Sequence, residues 1–322
     1  MTLDPVGWHP QSRFTTVDGV RCHYVDVGAR DAPPLVLLHG IAVSSWAWRF
    51  NLPALSRHFR VIAPCQKGFG WSGRDHGDYS VRGLARFVLR LLDHLGVPRA
   101  DLCGNSLGGA VALWIAEHQP HRVDRLVLEN AAALADQRPW QLLHTQLPAL
   151  GPLYRALVGP TLFRAGLVAL AYKNLAVDSD YMAGFWTPLA APRSIQTLLA
   201  VARRLPASLA EIDRLLPTVS HPTLIAWGQK DGVLPVRGAY ALHRRLPASR
   251  LVLFPECGHC PHEEDPARFD ALLLGFLATT PAAKATPQMT APDEAATSAP
   301  QENETTQPRE PGAWSKTSKT SP

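Results

Sequence analysis

Leu102-Cys103-Gly104-Asn105-Ser106-Leu107-Gly108-Gly109 is the stretch on which the reading of the fold turns. A short apolar run, Ala100 to Cys103, leads into it, and an Ala-rich helical run, Ala110 to Glu117, leaves it. A strand that turns abruptly into a helix through G-x-S-x-G is a nucleophile elbow. The turn is so tight that the serine sits in strained backbone, and Gly104 and Gly108 relieve the crowding around it. Such a turn holds the Ser106 hydroxyl clear of the sheet and aims the amide of Leu107 at whatever the hydroxyl attacks.

Outward from the elbow, further short apolar runs recur at helical spacing: Leu35–His39, Arg60–Pro64, Arg125–Leu128, Thr223–Trp227 and Arg250–Phe254. Their apolarity is continuous rather than alternating, which suits strands buried on both faces of a parallel sheet. Phe14 to Val27 reads instead as a hairpin about Asp18-Gly19, a dipeptide that tolerates positive φ in a tight turn. Between Ala131 and Pro217 the strand pattern gives way to Leu- and Ala-rich helical segments broken by prolines, the pattern of a helical insertion between two strands. The expected division is an α/β core over 1–134 and 217–280, a helical cap over 135–216 and a tail over 281–322. The tail has no Leu, Ile, Val, Phe or Tyr. It cannot bury enough apolar surface to offset its ordering entropy, so disorder is expected there.

A serine hydroxyl is a weak nucleophile until a neighbouring base takes its proton. Of the thirteen histidines, His259 stands out: it ends Phe254-Pro255-Glu256-Cys257-Gly258-His259, just past the last strand, with a helix start at Pro261-His262-Glu263-Glu264 behind it. The base in turn needs a carboxylate to fix its tautomer and stabilise the imidazolium. Asp231 fits, in the loop after Leu224-Ile225-Ala226-Trp227-Gly228. Glu129, directly after the Leu126–Leu128 strand, competes with it. Acyl transfer also needs backbone N–H groups directed at the developing oxyanion. Leu107 supplies one, and Ile41, after Leu35-Val36-Leu37-Leu38-His39-Gly40, is the natural second. His39 is expected to hold that loop by hydrogen bonds rather than to move protons.

Taken together, HG at 39–40, GFGWSG at 68–73, GNSLGG at 104–109, WGQKDGVLP at 227–235 and CGH at 257–259 resemble the α/β-hydrolase superfamily in its lidded branch. The resemblance runs from about Phe14 to Leu277. It implies a mostly parallel central sheet flanked by helices and a catalytic triad whose chain order, Ser then Asp then His, selects Asp231 over Glu129. Serine at the elbow implies esterases, lipase-like enzymes, C–C bond hydrolases or aminopeptidases rather than the dehalogenases and epoxide hydrolases, which carry Asp. C–C hydrolases usually have a Gly-Pro-Gly-like oxyanion loop, which Ile41-Ala42-Val43-Ser44-Ser45 lacks. The loop Ala63 to Gly70 also departs from the family, with Cys65 where Asp is usual.

The expected activity is hydrolysis of a small hydrophobic carboxylic ester through an acyl-enzyme. The alternatives are an acyltransferase or C–C bond hydrolase on the same triad, or a non-catalytic ligand-binding relative. Trp46, Trp48 and Trp186 are candidate pocket residues, with core packing as the competing role. No cofactor or metal is called for, and the expected partner is a small hydrophobic molecule. The net charge of +5 is spread without a dense Lys/Arg block, which argues against nucleic acid. No run reaches the ~18 apolar residues of a membrane span. The opening residues lack a cationic, apolar leader, and the five cysteines sit mostly in apolar segments, so a reduced, cytoplasmic setting is expected. Cys257-Gly258-His259-Cys260 matches a disulfide-isomerase redox motif, but a thiol pair after a late strand, beside a complete triad, reads as incidental.

Overall fold

The computed structural model describes residues 8–137 and 159–279. The expected tail and residues 138–158 of the expected cap lie outside the described residues. Among the described residues, eight strands form one sheet: β1 (Ser12–Val17), β2 (Val20–Val27), β3 (Pro34–Leu38), β4 (Arg60–Pro64), β5 (Ala100–Asn105), β6 (Val123–Glu129), β7 (Thr223–Gly228) and β8 (Ser249–Phe254). Their order is β1-β2-β4-β3-β5-β6-β7-β8. The first two pairings, β1 with β2 and β2 with β4, are antiparallel, and every pairing from β4 to β8 is parallel. Asp18 (φ 48) and Gly19 (φ 77) make the turn of the β1–β2 hairpin, both in the left-handed region that such a turn requires.

Successive residues of the parallel strands feed opposite faces of the sheet. Val36, Leu38, Leu102 and Leu126 pack against α1 (Val81–His94) and α2 (Leu107–His118). Leu35, Leu37, Cys103 and Val127 pack on the other face with Trp48 and Leu52, and with Phe269 and Leu273 of the C-terminal helix Pro266–Thr279. This two-sided burial is why the strands read as unbroken apolar runs.

The insertion between β6 and β7 holds α3 (Pro160–Gly166), a π-helical turn Leu167–Ala171, α4 (Ser179–Leu189) and the long α5 (Ser194–Leu215). Its own apolar cluster joins Tyr172, Val177, Tyr181 and Phe185 to Ala47 and Cys260 of the core. The C-terminal ends of β3, β5, β6 and β7 thus open beneath it, where a doubly covered parallel sheet places its ligands.

Candidate active site

Ser106 caps α2 at φ 54, ψ −116, a conformation that L-residues rarely hold. The two flanking glycines make it possible. A Cβ on Gly104 would lie 2.4 Å from the Gly108 carbonyl carbon, and one on Gly108 would lie 2.1 Å from the Leu38 carbonyl oxygen. The Ser106 amide donates to the Glu129 carbonyl at 3.0 Å, which fastens the elbow to the end of β6.

His259 and Ser106 line one cavity of about 220 Å³. His259 Nδ1 donates to Asp231 Oδ2 at 2.7 Å. The other carboxylate oxygen of Asp231 accepts the Val233 and Leu234 amides at 2.7 and 2.9 Å, and Asn130 Nδ2 donates to Oδ2 at 2.6 Å. An ionised carboxylate with this many donors is fixed in place, and it forces the Nδ1–H tautomer that leaves Nε2 free as a base. Burial pulls the His259 pKa down, but Asp231 outweighs it and leaves the imidazole above its ordinary value. The base is also held through its backbone. The His259 amide donates to the Ala171 carbonyl at 2.6 Å, and Asn105 Nδ2 donates to the His259 carbonyl at 3.1 Å. Glu264 Oε1 accepts the Gly258 amide at 2.8 Å.

Glu129, the competing acid, engages a different histidine. Its two oxygens lie 2.7 and 2.9 Å from His262 Nδ1, and it also accepts the His262 amide at 2.8 Å. Burial lowers the His262 pKa and Glu129 more than offsets it, so this imidazole too is raised. The ring lies against Trp48, with centroids 4.1 Å apart and planes tilted by 32°. Next to it, Glu263 accepts from Arg49 Nη1 at 2.7 Å and from the Tyr172 and Tyr181 hydroxyls at 2.8 Å each. Both phenols are pushed well above their ordinary range by burial first, then by neighbouring acidic groups, so they stay protonated as donors.

Ile41 and Leu107 line the same cavity as Ser106. A Cβ on Gly40 would meet the Ser106 Cβ at 3.3 Å, so the Gly40-Ile41 backbone abuts the nucleophile, and Ala42 at φ 64 turns the chain there. His39 clamps this loop. Its Nε2 accepts the Gln66 amide at 2.9 Å, its Nδ1–H donates to the Gly40 carbonyl at 2.7 Å, and burial lowers its pKa to about 4, so it is neutral. Cys65 takes up the place of the usual Asp in the adjoining loop through contacts to His23 Nδ1 at 3.2 Å and Ser45 Oγ at 3.3 Å.

The tryptophans fall elsewhere. Trp48 is wholly buried in the core beneath His262, away from the cavity wall. Trp46 packs edge-on to Tyr181 and Phe185 beside a separate outer groove. Trp186 rests on Phe163, and it is Phe163 that faces the cavity. Cys257 and Cys260 are free thiols; burial pushes Cys257 up to about 12 and Cys260 well above its ordinary value, the reverse of a reactive redox pair. Among the described residues, no group of three or more His, Cys, Asp or Glu is placed to hold a metal ion, and no helix is long and apolar enough to cross a membrane.

Residues 33–266 match the family model of the alpha/beta hydrolase fold. The chain belongs to the α/β-hydrolase family. It is 34% identical over 272 residues to the 2-hydroxy-6-oxo-2,4-heptadienoate hydrolase of Pseudomonas putida, covering 83% of this chain and 96% of that protein. It is equally, 34%, identical over 282 residues to an uncharacterized protein of Mycobacterium tuberculosis, covering 84% and 82%. Among solved structures, an acetate-complexed mutant of a meta-cleavage product hydrolase from Pseudomonas fluorescens superposes with a TM-score of 0.72 at 28% identity, covering 83% of this chain and 97% of that one. A haloalkane dehalogenase from Bradyrhizobium elkanii superposes at 0.74 with 22% identity, covering 83% and 96%, a likeness of fold alone.

As an α/β hydrolase, the chain draws its site from residues that the sequence motifs named and from several that they did not. Asn105 was within sight, being the residue before Ser106 in the elbow. Glu264 lies five positions after His259 in a helix start already noted. Asn130 and the Glu129–His262 pairing had no local signal, since their partners lie 101 and 133 residues away in sequence.

Proposed function

We propose that this α/β hydrolase cleaves small, uncharged, hydrophobic carboxylic esters by two-step acyl transfer on Ser106. The observation that carries the reading is the Asp231-bound His259 sharing with Ser106 a cavity whose described lining is apolar over most of its surface and contains no Lys or Arg. In this reading His259 Nε2 takes the Ser106 proton as Oγ attacks the acyl carbon. The Ile41 and Leu107 amides receive the oxyanion. The imidazolium then protonates the departing alkoxide, and the same nitrogen activates water to release the acid.

A second reading is favoured by sequence similarity: the heptadienoate hydrolase and the meta-cleavage product hydrolase named above act on C–C bonds flanked by a ketone, chemistry that a serine triad also serves. That reading needs a proton delivered to carbon and a place for the substrate carboxylate, and the described lining of the cavity offers no Lys or Arg for the latter.

A fluorophosphonate probe should label Ser106 alone, and Ser106→Ala should lose roughly four to six decades of turnover. Parallel assays with p-nitrophenyl esters of increasing acyl length and with a 2-hydroxy-6-oxo-dienoate then separate the two readings. Turnover of the dienoate above that of every ester would overturn the ester reading, and an unlabelled Ser106 would overturn both.

A further inference from the structure

One face of α3 and the π-helical turn that continues it looks onto the cavity that holds Ser106. Phe163, Gly166, Leu167 and Leu170 line that cavity, at the i, i+3, i+4 and i+7 spacing that places residues on one side of a helix. The same four are the half-buried positions between 161 and 170; the others are exposed, Leu162 to 57% and Val168 to 46%. Three of the four carry large apolar side chains, and the fourth carries none. No demand of the backbone explains a glycine there. Gly166 holds φ −62°, ψ −44°, an ordinary right-handed helical conformation open to any L-residue. A Cβ built on it would meet no atom of the described residues within 4 Å, chain neighbours apart, whereas one on Gly104 or Gly108 would run into backbone. Within a helical stretch glycine destabilises relative to alanine, because it has more freedom to lose on folding. What the missing side chain leaves is room, on the cavity side of the stripe between Phe163 and Leu170.

We propose that Gly166 is a specificity-determining residue: its open position receives an apolar tail of the substrate, so that the substrate class is compounds whose reacting carbonyl carries a chain long enough to reach α3. Phe163, Leu167 and Leu170 would then pack along that tail, and the length of the room at position 166 would set where it must end. Carbons added to the tail strengthen binding until the room is full, and carbons added to residue 166 use up the same room. This inference rests on the reading of Ser106 as the nucleophile.

The test uses the purified full-length protein and alkyl fluorophosphonates from methyl to decyl. The readout is the rate of Ser106 labelling relative to the methyl probe, each rate divided by the reagent's own hydrolysis rate. In the wild type that ratio should climb by up to roughly fourfold per methylene and then fall at a definite length. Gly166→Leu should bring the limit down by about three carbons and cut the ratio at the wild-type optimum by at least roughly tenfold. Gly166→Ala should cut it by roughly fourfold and raise the melting temperature by roughly 2 °C, as replacing a glycine that its backbone does not require should. Ala165→Leu adds bulk on the exposed side of the same helix and should leave the profile in place. If Gly166→Leu does not fold, Gly166→Ala carries the test. A wild-type ratio that never climbs, or a profile unmoved in the folded Gly166 variants, would overturn the proposal, as would an equal shift in Ala165→Leu. A lower melting temperature in Gly166→Ala would also overturn it, by showing that the fold itself requires the glycine. Failure of every probe to label Ser106 would instead bring down the nucleophile reading on which it rests.

Discussion

Asn130 offers a sharp check on the charge relay of the site, because its side chain has two separable tasks. Nδ2 donates to Asp231 Oδ2 at 2.6 Å, and Oδ1 accepts the Gly228 amide at 3.1 Å. In Asn130→Ala, Asp231 loses one hydrogen bond to a charged acceptor, about 1.5–3 kcal/mol. Asp231 matters most when His259 carries the proton, so that loss should fall on the transition state, and at about 1.4 kcal/mol per decade it costs roughly 10- to 100-fold in kcat. Stability falls too, since the Gly228 amide is left buried without an acceptor and alanine must hold φ 41.

Asn130→Asp separates the two effects. It keeps the acceptor for Gly228 but sets two carboxylates 2.6 Å apart. At an effective dielectric near 20 the repulsion between two charged carboxylates is about 6 kcal/mol, so the pair holds a shared proton up to a pH well above the usual carboxylate range. Below that pH the protonated acid donates as the amide did, and turnover should stay near wild type. Above it the proton leaves and turnover should drop more steeply than in wild type. Steady-state kcat from pH 6 to 9.5, beside melting temperatures, measures both variants. Wild-type kcat in the Ala variant, or an Asp variant whose ratio to wild type is flat across pH, would refute the assignment of Asn130 as the group that positions Asp231.

Because Asp231 raises the His259 pKa, the acid limb of the wild-type rate profile should have its midpoint above pH 6.5; in Asp231→Asn, burial is opposed only by the weaker pulls of Glu129 and Glu264, so the midpoint should move down while turnover falls by up to roughly four decades. Glu129→Gln should cost stability first, about 3–5 kcal/mol for breaking a buried pair, and far less turnover than Asp231→Asn; the opposite order would mean that Glu129 serves the base. Burial, then the nearby Glu211, pushes Glu117 up to about 8, so between 4.5 and about 8 the native state holds a proton that the unfolded chain has lost, and stability falls as pH rises through that window. Glu117→Gln should therefore raise the melting temperature at pH 8.5 and leave it unchanged near pH 4, readable by calorimetry at the two pH values.

Much of this was legible in the chain because the relevant forces are local. The parallel strands announced themselves since both faces are buried, and the expected runs lie within a residue or two of β3 to β8. The elbow was legible since its glycines are demanded by contacts within the turn itself and with the adjoining β3 end. What the sequence could not disclose is which long-range partner each polar group meets. Glu129 and Asn130 are consecutive, yet one turns to His262 and the other to Asp231, partners that only the folded chain brings beside them. The tryptophans failed as pocket markers for a related reason. Trp46 and Trp48 sit on one 3-10 turn, two residues apart, so they point to different sides, and neither meets the cavity.

The insertion leaves the sheet at the end of β6 and returns at the start of β7, and these strands are immediate neighbours, Glu129 opposite Ala226. Its two stems therefore spring from adjacent strands, but a replacement must still present a carbonyl where Ala171 now accepts the His259 amide and an apolar face where Leu205, Leu209 and Ile212 pack into the core. Recombination that keeps those contacts could exchange the rest of the segment, leaving the chemistry untouched while the range of acyl groups changes. The joint is not free of conditions. The donated segment would have to supply the hydroxyls that Tyr172 and Tyr181 now give to Glu263. A cassette without them would strand that carboxylate in the core, so position 263 is one that must be inherited along with the graft.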